Sequence, residues 1–206
     1  KKSFLQDCKV KVINNGIDLQ IFKPTESTFR ESYNITKEKF ILLGVAFNWD
    51  KSKGLDVFLE LEKRLDSKKF QIVLVGTNEK VDRVLPKDII SIHKTQNQLE
   101  LAGIYTAANL FVNPTREDTY PTVNMEAIAC GTPVLTFKTG GSPEILDEFT
   151  GSVVECDDFA TLEKEILKIF KERPYKEELC LKKAKKFNQN ERIKEYIELL
   201  TCDNTL

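Results

Sequence analysis

The sequence predicts an α/β domain built on an open parallel sheet of about six strands flanked by helices. Three observations carry this. Short β-branched apolar runs alternate with longer amphipathic segments six or seven times, and that alternation specifies a parallel sheet with right-handed helical crossovers. The run Phe40–Ala46 (FILLGVA) is nearly all apolar, as a strand covered on both faces should be. At 206 residues the chain suits one large domain with an open doubly wound sheet better than an eight-fold barrel of about 250 residues.

Taken in order, Lys9–Ile13 (KVKVI) reads as a first strand, closed by the turn 14-NNGID-18. Pro24–Lys39 is polar and carries a helix near Glu26–Tyr33. After Phe40–Ala46 comes the loop 47-FNWDKSKG-54, then a helix with Leu55, Phe58, Leu59 and Leu65 on one face. Phe70–Val75 and Ile89–Ile92 are strands, and the loop 93-HKTQNQ-98 leads into a helix through Leu101, Ile104, Tyr105 and Ala108. Leu110–Asn113, Pro133–Phe137 and Gly151–Val154 are strands separated by helices at 123–130 and 142–148. Asp157 and Asp158 suit the cap of a helix through Phe170, and two more helical segments lie near Lys176–Phe187 and Glu191–Leu200. No internal repeat or long linker divides the chain, so residues 1–206 are read as one domain.

Composition narrows the function. Apolar residues make up 41%, enough to bury a core. Charged residues make up 31%, yet the net charge is −1, which removes the global basic footprint of a nucleic-acid partner. The lysines of the last third interleave with glutamates at helical spacing and read as a solvated surface. Five scattered cysteines, no C-x-x-C pair and a single histidine argue against a structural zinc site or a disulfide framework, and fit a reducing, cytoplasmic setting. Cys130 lies in an apolar stretch and reads as a core residue. No apolar run approaches the ~18 residues of a membrane span, and KKSFLQDCKV lacks the apolar centre of a signal peptide. The start without Met suggests a piece of a longer chain.

Ligands of such sheets bind beyond the carboxyl ends of the strands, and three loops gather there. The first ends in Lys53-Gly54 at the mouth of a helix, where a lysine and free backbone N–H groups can meet an anion. The second, 93-HKTQNQ-98, holds His93, Lys94 and Thr95; a histidine at a strand end is more often a bystander than a catalyst. The third is 118-DTYPTVNMEA-127. Pro121 suits the first helical position, leaving the N–H groups of Thr122, Val123 and Asn124 free to face an anion. Taken separately, Asp118 suits a cap and Glu126 a helix surface. Taken together, one cation, several backbone donors and two acids at three strand ends suit a ligand with a diphosphate and hydroxyl-rich ends, such as a nucleotide sugar.

The run 110-LFVNPTREDTYPTVNMEAIACGTPVLTFKTGGSPEIL-146 resembles the signature of retaining glycosyltransferases of family 4, whose GT-B fold sets two Rossmann-like domains across a cleft. The resemblance extends from 14-NNGID-18 and Phe22 through Lys53-Gly54 to Gly151 and corresponds to the C-terminal, donor-binding domain. It implies that Asp118 engages the transferred sugar, Glu126 the ribose and Lys53 the diphosphate, and that these three are the catalytic set. Backbone groups at Thr122 and Val123 match the family's phosphate-facing turn, with Tyr120 and Pro121 beside it, and His93, Lys94 and Thr95 match the region near the base. Two departures stand out. Asp118 replaces the family's first glutamate, one methylene shorter, and Phe47 stands where many members place an arginine, a role for which Lys51 or Asn48 are the nearby substitutes.

The resemblance further implies retention at the anomeric carbon, no metal, no cofactor beyond the nucleotide-sugar substrate, and an acceptor site on an N-terminal domain that this chain lacks. The fragment alone is expected to bind a donor and catalyse little. Any contact with the inner face of a membrane is assigned to the missing half, and the pathway to bacterial capsule, lipopolysaccharide or another surface glycan. Two rival readings are a non-catalytic nucleotide-sugar binding module, which could keep Lys53, Asp118 and Glu126, and a GT-B-like sugar-nucleotide epimerase, against which the single histidine argues. A phosphoacceptor signalling domain would need an acidic cluster after the first strands, and none is present.

Overall fold

The computed structural model describes residues 10–202. In chain order the elements are α1 (Phe29–Ser32), β1 (Phe40–Val45), α2 (Leu55–Arg64), β2 (Phe70–Val75), α3 (Glu79–Asp82), β3 (Ile90–Ile92), α4 (Gln98–Ala107), β4 (Leu110–Asn113), α5 (Thr122–Ala129), β5 (Val134–Phe137), α6 (Ser142–Ile145), β6 (Gly151–Val154), α7 (Phe159–Glu172), α8 (Glu177–Ala184), a 3-10 turn (Lys185–Phe187) and α9 (Gln189–Cys202).

All six strands are parallel and lie in the order β3-β2-β1-β4-β5-β6. The alternation of strand side chains splits the core in two. Ile41, Leu43, Val73, Val75 and Phe111 face one side and pack with Tyr105 of α4, Met125 of α5 and Cys180 of α8. Phe40, Leu42, Ile72, Leu74, Leu110 and Leu135 face the other and meet Phe58 of α2 and Leu162 and Ile166 of α7. Cys130 is buried in the first of these layers, as its apolar setting predicts. This is a Rossmann-like open parallel sheet covered by helices on both faces, as the sequence predicts.

The strand order matters for function. From β1 the chain proceeds outward to β2 and β3, then returns to β4 on the other side of β1 and proceeds outward again. The loops leaving β1 and β4 therefore diverge and leave a crevice at their carboxyl ends, where open α/β sheets bind ligands.

Several expectations are corrected. Lys9 lies outside the described residues, and residues 10–13 form no strand: Val10 and Val12 are both 78% exposed. The alternating pattern of KVKVI is that of a strand, but a strand exists only where it pairs, and among the described residues this segment pairs with neither edge strand of the sheet, β3 or β6. The helix expected near Glu26–Tyr33 is one turn, Phe29–Ser32. The buried face of α2 is Val57, Phe58 and Leu61, rotated from the one read in the sequence, with Leu55 and Leu59 at its margin. Asp158 alone caps α7, accepting from Thr161 N at 3.0 Å. Asp157 does something else, described below. No described helix is long and apolar enough to cross a membrane.

Candidate functional site

The loop after β1 is held from below and closed by a tight turn. Trp49 is buried, its indole N–H donates to Val75 O (2.9 Å), and its ring meets Phe58 edge-on. Asp50 Oδ1 then accepts from Ser52 N (2.8 Å), Ser52 Oγ (2.6 Å) and Lys53 N (3.2 Å), which fixes the direction in which Lys53 leaves the turn. Gly54 follows at φ +78°, and a Cβ there would stand 2.5 Å from Pro114 Cγ. The start of α2 is thus pressed against the segment that leaves β4, and only glycine fits both the backbone and the space.

That contact delivers Lys53 to the neighbouring loop. Its ammonium lies 3.1 Å from Asp118 Oδ2, 3.2 Å from Glu117 O and 3.4 Å from Thr115 Oγ1. Lys53 and Asp118 are 35% and 23% exposed at their side chains, so the pair sits at the mouth of the crevice. A cleft of about 140 Å³ opens beside it, lined by Val45, Phe47, Trp49, Asn113 and Val123 among others. Phe47 is fully exposed at its lip. Size does not pick out this site. A hollow of about 250 Å³ lined by Lys39, Phe70, Gln71 and Asp88 is larger, but it lies at the amino ends of β1 and β2, away from where such sheets bind ligands.

The third loop runs from Asp118 into α5 and is clasped from behind. Gly140 (φ +46°) comes so close that a Cβ on it would lie 1.7 Å from Asp118 O, and Gly141 N donates to Thr119 O (2.7 Å). Tyr120 packs half-buried against Gly141, and burial raises its pKa above the ordinary phenol value. Pro121 is the cap of α5 rather than its first helical residue, because its ψ of 111° is extended. The 3-10 turn this creates takes Asn124 N, which donates to Pro121 O (3.2 Å). Thr122 and Val123 N–H are the amides of this end that have no partner among the described residues. Nearby, Asn124 Nδ2 and Ser142 Oγ are buried without a partner among the described residues; buried polar groups left so are uncommon.

Glu126 stands apart from Lys53 and Asp118. Its carboxylate accepts from Tyr105 Oη (3.1 Å), and burial raises its pKa despite that hydrogen bond. The fold does not join the two acids in direct contact; it places Asp118 before α5 and Glu126 a turn inside it.

His93 also closes a strand, two strands away from β1. Its Nε2 is 2.6 Å from Asp82 Oδ2, Ser91 Oγ donates to Asp82 Oδ1 (2.5 Å), and the Ser91 hydroxyl also meets that of Thr77 (2.6 Å). These two contacts, with Ser91 first, hold the Asp82 carboxyl below its usual range. Lys94 is exposed and Thr95 half-buried, with no side-chain hydrogen bond among the described residues.

A sequence model of the family described as glycosyl transferases group 1 matches residues 25–194. The chain belongs to that family. Among curated relatives, it is 29% identical over 161 residues to a D-inositol 3-phosphate glycosyltransferase of Arthrobacter sp. (strain FB24), covering 71% of this chain and 38% of that protein. It is 24% identical over 173 residues to the capsular polysaccharide biosynthesis glycosyltransferase CapM of Staphylococcus aureus, covering 80% and 46%. Among solved structures, sucrose-phosphate synthase from Thermosynechococcus elongatus superposes with TM-score 0.81 at 24% identity over 93% of this chain and 52% of that one. Anabaena Alr3699/HepE in complex with UDP-glucose does so with TM-score 0.79 at 17% identity over 93% and 57%. The chain spans about half the length of the relatives it matches, or less.

Two residues of this group 1 glycosyltransferase domain have partners that the sequence does not announce. Tyr105, read only as a helix-face residue, is the buried partner of Glu126. Arg116 lies inside the quoted run but pairs with Asp56 and Asp157, 60 and 41 positions away, and no local pattern announces such a pairing. A charged residue at a strand-exit loop between two motif positions was the one available signal.

Proposed function

We propose that this chain is the donor-binding half of a retaining glycosyltransferase of family 4, taking a nucleotide-diphosphate sugar as substrate and needing neither metal nor further cofactor. The observation that carries the reading is the meeting of Lys53 and Asp118 across the crevice between β1 and β4, within 3.1 Å and inside the matched family segment. In this reading Lys53 and the free amides of Thr122 and Val123 hold the diphosphate, Asp118 the sugar, Glu126 the ribose, Tyr120 and Pro121 shape the turn, and His93, Lys94 and Thr95 flank the base. The negative charge that develops on the leaving diphosphate is stabilised by Lys53 and the N-terminus of α5. The missing half brings the acceptor and any membrane contact, and the whole enzyme builds a bacterial surface polysaccharide, a reading supported by the capsule-related relative.

The energetics favour ligand entry. A half-exposed ion pair is worth about 0–1 kcal/mol, whereas a charge-assisted contact to phosphate is worth about 1.5–3 kcal/mol. A diphosphate can therefore displace Asp118 from Lys53, and the released carboxylate becomes an acceptor for sugar hydroxyls.

A thermal-shift panel with UDP, GDP, ADP and CMP tests this. A ligand at 100 times its Kd adds about 2.7 kcal/mol of stability if it binds only the folded chain. One nucleotide raising the midpoint, with the effect lost in Lys53→Ala, supports the site and names the base. No shift with any of them, in this chain or the full-length protein, refutes it. The anomeric configuration of the full-length enzyme's product, read by NMR, tests retention separately.

A further inference from the structure

Arg116 is the best-connected side chain at this end of the sheet, and nothing in the reading above uses it. It is only 19% exposed. Its Nη1 and Nη2 reach the two carboxylate oxygens of Asp56, each at 2.9 Å, at the start of α2. Nη2 and Nε reach Asp157 Oδ1 at 2.6 and 2.7 Å, after β6. Nη1 also donates to Lys51 O, and its own backbone N–H donates to Ser52 O (2.7 Å). One residue thus ties the loops leaving β1, β4 and β6. Asp157 accepts its place at φ +65°, a left-handed backbone that a residue other than glycine adopts at a cost of about 1 kcal/mol or more.

The chain positions are what make this consequential. Three residues before Asp56, Arg116's partner on α2, the turn carries Lys53, and two residues after Arg116 itself stands Asp118. Lys51 and Ser52, whose carbonyls Arg116 grips, lie directly before Lys53. A backbone shift of this turn that carried Lys53 away from Asp118 would have to move those carbonyls. The grip needs a planar fork: two parallel bonds to Asp56 and two more to Asp157 are beyond a single ammonium.

Resting on the donor-site reading, we propose that Arg116 is a positioning residue of that site: by clamping Lys51, Asp56 and Asp157 it holds the β1 and β4 loops so that Lys53 Nζ faces Asp118.

The test needs a readout that does not depend on a nucleotide and one that does. In the free chain, lysine 15Nζ NMR reports the ammonium of Lys53, assigned with Lys53→Arg, and its shift in Asp118→Asn measures the pair. In Arg116→Ala the Lys53 signal is expected to move to the position of solvated lysines and to stop responding to Asp118→Asn. An unchanged signal overturns the proposal. Asp157→Asn, which removes one arm of the clamp and leaves Arg116 paired with Asp56, provides a milder variant with the same expected direction should Arg116→Ala fail to fold.

The second readout is a double-mutant cycle on nucleotide affinity, measured by calorimetry with UDP, GDP, ADP and CMP. Arg116→Ala is expected to weaken the binding nucleotide about fivefold in the wild-type background and to change it little in Lys53→Ala, since the residues act as a unit. Equal losses in both backgrounds overturn a role through Lys53. Arg116→Lys is expected to behave like Arg116→Ala in both readouts, and full recovery by lysine overturns the fork. If the wild type binds no nucleotide, the donor reading fails, and the Nζ signal still decides whether Arg116 holds the pair.

Discussion

The loop leaving β1 and the loop leaving β3 end at the same edge of the sheet, and in each one basic side chain pairs with a carboxylate, Lys53 in the first and His93 in the second. Lys53 finds its three acceptors 62 to 65 positions away, on the far side of the crevice between β1 and β4. His93 finds Asp82 only 11 positions back, within the crossover that joins β2 to β3. The first pair bridges two independent loops and can be parted by a ligand entering between them. The second closes a local hydrogen-bond chain through Ser91 to Thr77 and is already satisfied. What decides a basic group's availability here is whether its partner stands across the switch point of the sheet, not its exposure or its place at a strand end.

The largest test breaks the first region outright. Gly140→Ala is expected to cost more than about 2 kcal/mol in urea unfolding, because the new Cβ meets Asp118 O and the backbone is left-handed. A cost below that would mean the 118–120 loop is not held by the Gly140-Gly141 contact. Next comes Lys53→Ala, expected to weaken nucleotide binding about tenfold or more in calorimetry, the equivalent of ~1.4 kcal/mol. Asp118→Asn should act in the opposite direction on a nucleotide without sugar. It frees Lys53 from its partner and is expected to tighten binding about two- to threefold, while the nucleotide sugar gains less because its hydroxyls lose a charged acceptor. His93→Ala is the smallest, with an expected change under about threefold, since the ring is committed to an exposed pair with Asp82.

Glu126 sharpens the same comparison from the side of burial. Its pKa is raised by desolvation, so the folded chain holds its proton more tightly than the unfolded chain does. Stability is therefore lost as pH rises from the ordinary glutamate pKa through the raised folded value, and stays lost above it. Glu126→Gln removes that loss and keeps an acceptor for Tyr105. It is expected to be more stable than the nucleotide-free wild type at pH 8 and not at pH 4, as urea unfolding at the two values would read. A wild type that is equally stable relative to the variant at both would mean the carboxylate is solvated.

Much of this was legible in the chain itself. Phe40–Val45 announces a buried central strand because none of its six side chains is polar, and all but Val45 are buried. Lys53 and Asp118 could be assigned to one edge because each follows a strand, but their pairing depends on β1 lying beside β4, and strand order is not written in any local pattern. Pro121 illustrates the limit of a single-residue rule: proline suits both the cap and the first turn, and its ψ decides between them. Residues 10–13 show the complementary failure, where a strand-like alternation is not brought to either edge of the sheet and stays exposed. Arg116 was invisible for a further reason, since its meaning lies in two carboxylates contributed by distant loops.

The most direct measurement is a calorimetric titration of the nucleotide that most raises the melting midpoint into three proteins, the wild type, Lys53→Ala and His93→Ala, under identical salt. Lys53→Ala is expected to lose about tenfold or more and His93→Ala less than about threefold. Equal losses in the two variants, or undiminished binding in Lys53→Ala, would contradict the claim that the crevice between β1 and β4 holds the diphosphate.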